Sequence, residues 1–394
     1  MALTDKLTAI GDAIRDKTGS TDLLTLDAMP TAISGITTGG GEGGGLTEEE
    51  LTITGNCYYR FPHDGWDWYI EKYGDKVVTK DILGTEGMFY FSLNLENIPF
   101  DINIKPNLTS GNTLSSTFIG CKKLLSPPKI INPVVNNMER LFSDCCYIRE
   151  IPLDYFDTWD WSFFKDKATA YNSKMNYLFE RCYSLRSFPI DFIKYASSIS
   201  SYGYSAYYGA FNSCYSLDEV VGLPMPYTAT WTSNAFGYSF DKCYRLKNMT
   251  FALQEDGTPY IMNWKSQTID LSNAGYISST NPSTIKYITG YNSGITEDKL
   301  VKDDVTYQAL KDDPDWFGVY CGNDKVYSRY NHDSAVTTIN SLPDTSAYLA
   351  TAGGTNTIKF KGYAGVGTDG GAISTLTEEE IAVATAKGWT VTLV

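Results

Sequence analysis

Two histidines, eight cysteines and a few closely spaced aspartates are the side chains of this 394-residue chain that could do chemistry. Asp154 with Asp157, or Asp312, Asp313 and Asp315, could supply the paired carboxylates of a glycosidase. Acidic loops on an acidic protein are more often solvated surface. Ser-His-Asp catalysis would have to recruit His63 or His332, and no G-x-S-x-G turn accompanies either. Gly365-Val366-Gly367-Thr368-Asp369-Gly370 has G-x-G-x-x-G spacing, but no helix opens behind it and it reads as a loop. The run from Asp312 to Asp315 has Pro314 in its middle and no glycine for the sharp turn of a calcium loop. No Cys-x-x-Cys occurs, and two histidines cannot complete a zinc set with cysteines so placed. The sequence assigns no catalytic residue, no metal ligand and no cofactor.

Five of the cysteines mark a repeat instead. The pattern is an aromatic, a small residue three later and a leucine-like residue three after that: Phe89-Ser92-Leu95, Phe118-Cys121-Leu124, Phe142-Cys145-Ile148, Phe179-Cys182-Leu185, Phe211-Cys214-Leu217 and Phe240-Cys243-Leu246. Successive phenylalanines lie 29, 24, 37, 32 and 29 residues apart. Fixed slots with elastic gaps predict a solenoid whose loops differ from turn to turn. Equivalent slots stack at one depth, where a free cysteine serves as a small hydrophobe. Serine at the first slot argues against a metal ligand or a disulfide partner there. Apolar residues four before the last five phenylalanines (Leu114, Met138, Met175, Tyr207, Phe236), with Leu141 or Leu178 directly in front in two units, suggest a short helix running into a short strand. One unit gains about 1.5–3 kcal/mol for each large apolar side chain it buries, against about 1–2 kcal/mol of backbone entropy per ordered residue. A lone unit cannot fold, whereas a stack can.

Composition sets the outer bounds. Forty-two per cent hydrophobic residues suffice for a large core, and the net charge of −14 disfavours nucleic acid and anionic lipid as partners. No stretch approaches 18 apolar residues and the first residues lack a secretory pattern, so the expectation is a protein made in a cytoplasm and not inserted in a membrane. Asn107-Leu108-Thr109 and Asn248-Met249-Thr250 match the glycosylation sequon, which carries no weight without a secretory route.

The organisation follows from composition shifts. Residues 1–38 are expected to be a helical attachment or oligomerisation module in which Leu3, Leu7, Ile10 and Ile14 make an a/d seam, the plainer reading being a small amphipathic helix folded onto Leu24, Leu26, Met29, Ile33 and Ile36 of its own chain. Residues 39–45, Gly39-Gly40-Gly41-Glu42-Gly43-Gly44-Gly45, are a flexible tether. An N-terminal cap occupies 46–80, the repeat body 81–272, and irregular repeats with a C-terminal cap 273–394. Helical pieces are expected around Val305 to Lys311 and Ala335 to Ser341, and a strand near Thr357 to Phe360. Thr377 and Glu380 form a capping box, with a Leu376 to Ile381 staple, for a helix ending at Gly388. Trp389 to Leu393 alternates as a last strand. The fold class is therefore an α/β repeat solenoid, capped at both ends.

With this unit in view, residues 81 to 253 resemble the BspA-type leucine-rich repeats of bacterial and phage surface proteins, although the usual L-x-x-L-x-L-x-x-N/C-x-L string is absent. The segments Leu3 to Arg15 and Leu26 to Ile33 are similar to the openings of tail and tail-fibre proteins of phages of Gram-positive and gut bacteria. Ala384-Thr385-Ala386-Lys387-Gly388-Trp389-Thr390-Val391 is similar to their closing cap. The resemblance implies a virion tail protein whose N-terminus attaches to a phage tail or baseplate protein and whose body meets a bacterial cell-surface receptor, glycan or protein. A homotrimer is the habit of fibre proteins. A cell-encoded adhesin or scaffold, and a polysaccharide-depolymerising tail enzyme, are the competing readings.

The insertions are where binding is expected. Residues 195–209 have the tyrosine, serine and glycine vocabulary of a paratope, with Tyr202, Tyr204 and Tyr208 as anchors. Tyr155, Phe156, Trp159, Trp161, Phe163 and Phe164 make a second cluster, from which Trp159 and Trp161 are the candidate receptor contacts. Flat aromatic faces stack on sugar rings while hydroxyls and carboxylates bond the polar edges. The plainer reading is packing against neighbouring repeats, to which Tyr207 is the best suited.

Overall fold

The computed structural model describes residues 46–58, 65–162, 175–191, 207–224, 230–231, 236–243, 246–274, 276–278, 326–328, 330–362 and 373–394. The expected N-terminal module with Leu3, Leu7, Ile10 and Ile14, the tether, Tyr202, Tyr204, His63, Cys321, the Val305 to Lys311 helix, the Asp312 to Asp315 run and the Gly365 to Gly370 loop lie outside them. The chain divides into a unit ending at Thr52 and a second from Ile53 to Val394. In the first, helix α1 (Glu48–Leu51) carries a capping box between Thr47 and Glu50. The second is mixed α/β, with small parallel sheets joining successive units.

Six units align so that Phe89, Phe118, Phe142, Phe179, Phe211 and Phe240 form one buried row. Neighbouring ring centroids lie 5.5, 5.4, 5.5, 5.6 and 5.7 Å apart, and every pair is stacked. The offset, near-parallel arrangement is the favoured one for aromatic pairs and adds about 0.5–1.5 kcal/mol per pair to area burial. Two further columns run beside it, the leucine-like residues from Leu95 to Leu246 and the small residues from Ser92 to Cys243, all buried.

The backbone around each phenylalanine is not helical, which corrects the expectation of short helices such as Met138 to Cys145. In that unit the N–H groups of Leu141, Ser143 and Cys145 close turns onto the carbonyls of Met138, Arg140 and Phe142. The intervening N–H groups, on Arg140, Phe142 and Asp144, cross to the carbonyls of Asn176, Leu178 and Glu180 in the next unit. The same three crossing bonds recur at all five junctions, at 2.8–3.2 Å. A helix would direct every N–H four residues back and leave none to join units. The turns require a positive φ two residues before and two after each phenylalanine. Glycine supplies it at Gly87, Gly120 and Gly209, but Phe91, Ser116, Arg140, Asp144, Tyr177, Arg181, Ser213, Tyr238 and Lys242 adopt it with a side chain, at φ 53–62°.

The cysteines close the last acceptor. Each Phe carbonyl already receives the N–H three residues on, and the thiol of the following unit donates to it as well: Cys121 to Phe89 (3.1 Å), Cys145 to Phe118 (3.0 Å), Cys182 to Phe142 (3.0 Å), Cys214 to Phe179 (3.1 Å) and Cys243 to Phe211 (3.2 Å). All five are free and fully buried, and burial pushes every thiol well above its ordinary pKa. Thiolate, the reactive form, is suppressed.

Parallel strand pairs run beside the turns: β3 (Ile102–Asn103) with β5 (Ile130–Ile131), β4 (Asn112–Thr113) with β6 (Val135–Asn137), and β7 (Glu219–Leu223) with β8 (Asn248–Phe251). At the start, β1 (Thr52–Asn56) pairs with β2 (Val78–Gly84), and β2 meets the body through the Ile82 to Ile104 bridge. Helix α2 (Gly65–Tyr73) covers the first ring, because Trp66 lies 4.4 Å from Phe89 and donates its indole N–H to the Met88 carbonyl.

At the far end, helix α3 (His332–Ser341) covers the open edge of β8. Ser334 donates to the Lys247 carbonyl, Thr338 to the Met249 carbonyl, and the Phe251 N–H donates to Ser341. Hydroxyls at i, i+4 and i+7 thus occupy the hydrogen-bonding positions another strand would fill. Beyond them, β9 (Thr268–Leu271), β10 (Asn356–Phe360) and β11 (Trp389–Leu393) form a parallel sheet, so the boundary expected at 272 separates paired strands. Helix α4 (Ser346–Ala352) precedes β10, and α5 (Glu378–Ala386) carries the expected Thr377–Glu380 capping box and leads through Gly388 into β11.

Two stability predictions follow. The thiols of Cys121, Cys145, Cys182, Cys214 and Cys243 should resist a water-soluble disulfide reagent until the chain is unfolded, with Cys182→Ala costing about 1–3 kcal/mol and Cys182→Asp far more. Unaltered denaturation midpoints for both variants would contradict the ladder. At Lys242, exposed and at φ 60°, Lys242→Gly should melt at or above the parent and Lys242→Val below it by about 1–2 kcal/mol, because a β-branched side chain resists positive φ.

Candidate functional site

The positions two before each phenylalanine form a further column, and where they carry a side chain it is half-buried or exposed. In sequence order it holds Gly87, Ser116, Arg140, Tyr177, Gly209 and Tyr238. Where glycine interrupts the aromatics, the neighbouring Tyr208 substitutes. A Cβ at Gly209 would stand 2.7 Å from the Tyr177 ring, so its absence lets that ring settle onto the next unit. A continuous ladder results. The Arg140 guanidinium lies 4.2 Å from the Tyr177 ring centroid, Tyr177 meets Tyr208 edge-on at 5.6 Å, and Tyr208 meets Tyr238 edge-on at 5.4 Å. Tyr177 and Tyr208 are half-buried and Tyr238 is 61% exposed.

Charge borders the ladder. Glu180 lies 3.4 Å from Arg140 and 3.7 Å from Arg181, and Arg181 pairs with Asp144 at 3.1 Å. Arg140 is thus held between a carboxylate and an aromatic face, a geometry that fixes its planar fork. Burial raises the Glu139 carboxyl above its usual range, with Arg140 opposing the shift. Burial likewise raises the Tyr177 phenol, and the neighbouring Tyr208 adds to it. On the other side of the charges, Tyr183 and Tyr215 stack at 4.6 Å and are largely buried. The arrangement offers ring faces, hydroxyls and ordered charges in a row, which suits recognition of an extended polar ligand.

Of the residues expected from sequence, Tyr208 takes its place in this ladder. Trp159 and Trp161 do not face solvent: each is 5% exposed, they stack on one another at 5.7 Å, and the Trp159 indole N–H donates to the Ile130 carbonyl. With Tyr155 and Phe156 also buried, these four residues are packing, and the receptor-contact role expected of Trp159 and Trp161 is withdrawn; Phe163 and Phe164 lie outside the described residues. Tyr207 is core, stacked on Phe236 at 5.2 Å. Asp154 and Asp157 are exposed at the surface, Asp154 3.8 Å from Lys129. Arg140, Tyr177, Tyr238 and Glu180 were not anticipated. For Arg140, Tyr177 and Tyr238 the signal was a fixed place two residues before a phenylalanine, visible only once that turn position is known to carry its side chain at the surface.

His332, weighed above as a catalytic base, instead ties helices together. Its Nδ1 lies 3.2 Å from Asp333 and its Nε2 3.1 Å from Glu380, the capping-box residue of α5. Among the described residues no group of three or more His, Cys, Asp or Glu is placed to hold a metal ion, and no helix is long and apolar enough to cross a membrane. The chain matches no protein-family model, no curated protein and no solved structure at a significant level.

The His332 tie has a pH signature. Asp333 first, then Glu380, raise the imidazole above its ordinary value near 6.5, so its contribution is complete below that value and fades as pH rises through the raised one. The Thr377 backbone N–H first, and then His332, lower Glu380 from 4.5, so its contribution is present above 4.5 and fades as pH falls through the lowered value. The melting-temperature gap between the parent and His332→Gln should therefore be wider at pH 5.5 than at pH 8.5. Equal gaps would remove the pair from the account.

Proposed function

We propose that this protein is a phage tail-fibre or tail-tip receptor-binding protein that adheres without chemistry to a bacterial surface glycan or protein. In this reading the body is a leucine-rich-repeat-like solenoid, and residues 1–38, through Leu3, Leu7, Ile10 and Ile14, join it to the tail or to sister chains. The observation that carries the adhesive part is the Arg140, Tyr177, Tyr208 and Tyr238 ladder, three aromatics and a fixed cation set along a rigid stack and partly open to solvent. Tyrosine supplies large contact area at low conformational cost, and a preformed row avoids the cost of ordering a loop on binding. Tyr202 and Tyr204, a few residues before Tyr208 in sequence, are proposed to contact the same receptor. The virion assignment rests on the resemblance of the two chain ends and the repeat body to tail proteins.

Several copies on one particle would raise overall attachment by about 10²–10⁴ over a single contact, so each ladder can bind weakly and still hold firmly. Tyr208→Ala combined with Tyr238→Ala should lower binding of the full chain to purified envelope fractions of its host by at least tenfold while the melting temperature stays within a few degrees. Undiminished binding by a folded double variant would exclude the ladder as the contact surface.

A further inference from the structure

A second recessed surface lies at the other end of the stack, where the N-terminal strands meet the first repeats. A pocket of about 650 Å³ opens there, lined among the described residues by Tyr58, Leu83, Lys105, Leu108, Asn136 and their neighbours. That volume falls within the roughly 300–1,000 Å³ of small-ligand sites. Two features separate it from an incidental gap between strands.

The first is that its wall is built in advance. Asn112, buried beneath the loop 106–111, uses its whole amide: the NH2 group donates to the Leu83 and Lys105 carbonyls, and its oxygen accepts from the Asn107 and Val134 N–H groups. Asn107 turns the loop by accepting from the Thr109 and Ser110 N–H groups. Asn136 in β6 donates to the Ser110 carbonyl at 2.6 Å. Gly111, at φ +73°, brings the loop against Asn136, where a Cβ would stand at 2.5 Å. Three asparagines from three segments therefore fix one exposed loop.

The second is what the wall displays. Tyr58, Leu83 and Leu108 are large apolar side chains left 45%, 47% and 77% exposed. Around them stand the hydroxyls of Thr109, Ser110 and Thr113 and the amide of Asn56. An aromatic and two aliphatic surfaces ringed by short hydroxyl and amide groups match a sugar, whose rings have apolar faces and hydroxylated edges. Lys105 is the one charged residue of the described lining, is exposed, and makes no ion pair among the described residues. On a chain of net charge −14, that lone ammonium inside a recess selects for an anionic group. We propose that this pocket binds an oligosaccharide carrying an anionic substituent, a carboxylate or a phosphodiester, independently of the tyrosine ladder.

The test titrates the full chain with three soluble probes: trigalacturonic acid, a glycerol-phosphate trimer and maltotriose. At least one anionic probe should bind saturably, at least tenfold more tightly than maltotriose, and which one binds identifies the source of the charge. Lys105→Gln should weaken that binding about tenfold without changing the melting temperature, and Leu108→Ala should weaken it as well. Tyr208→Ala should leave it unchanged, so failure here and failure of the ladder are separately visible. The proposal is overturned if neither anionic probe binds, if maltotriose binds equally well, or if Lys105→Gln has no effect.

Discussion

Three backbone N–H groups per unit, those of the phenylalanine and of the residues two on either side, are the constraint on which the rest of this structure depends. They are buried between units and have no partner inside their own. Leaving one unmet costs about 1–3 kcal/mol. Sending all three to the next unit requires intervening turns, and those turns require two positive-φ residues, each costing about 1–2 kcal/mol when it bears a side chain. The exchange favours the turns even before ring stacking is counted, which is why nine non-glycine residues accept an uncommon conformation. Glycine at Gly87, Gly120 and Gly209 relieves part of that cost where the sequence permits.

Once those bonds set the register, the side chains have little freedom. The ring of each phenylalanine must fall above the next, and the residue three further on must lie beside the preceding phenylalanine carbonyl. Cysteine suits that place because its sulfur fills apolar space and its thiol is a weak donor. A stack built this way has two open ends, each presenting unpaired backbone and an uncovered ring. Trp66 meets the first ring, and the three hydroxyls of α3 meet the last strand edge. Both ends are closed by side chains acting where backbone would otherwise continue.

Much of this was legible in the sequence, and the illegible part has a physical reason. The row of phenylalanines, the buried cysteines, the capping box before α5 and the strand after Gly388 depend on residue type at fixed spacing, which a single sequence displays. The conformation of the units does not. Apolar residues at Met138, Leu141, Phe142 and Cys145 fit a helical face, yet the later members of each unit, Phe142, Cys145, Ile148 and Ile151, keep a strict spacing of three. That spacing belongs to successive turns. The burial of Trp159 was equally hidden, because its indole partner is the Ile130 carbonyl, 29 residues earlier. The surface ladder escaped for a further reason: three of its four members, Arg140, Tyr177 and Tyr238, sit at positions set by φ, not by residue type.

That same φ bears on what the outward residues are for. A position held at positive φ favours glycine, asparagine or aspartate, and an aromatic there is locally unfavourable. Tyr238 is such a residue, at φ 55°, and it recovers little by burial because 61% of it remains in solvent. Nothing in the stacking of units calls for a ring at that place, since Ser116 and Gly209 hold the equivalent position without one. Arg140 and Tyr177 at least gain from one another across the junction, whereas Tyr238 ends the ladder with its outer face open. A local preference broken on the surface, offset within the fold only by the edge contact with Tyr208, is the pattern expected where a residue answers to a ligand. The stack supplies rigidity and repeats the same outward direction at each unit, so a row of such residues presents a line of contacts in fixed register, suited to a ligand that itself repeats.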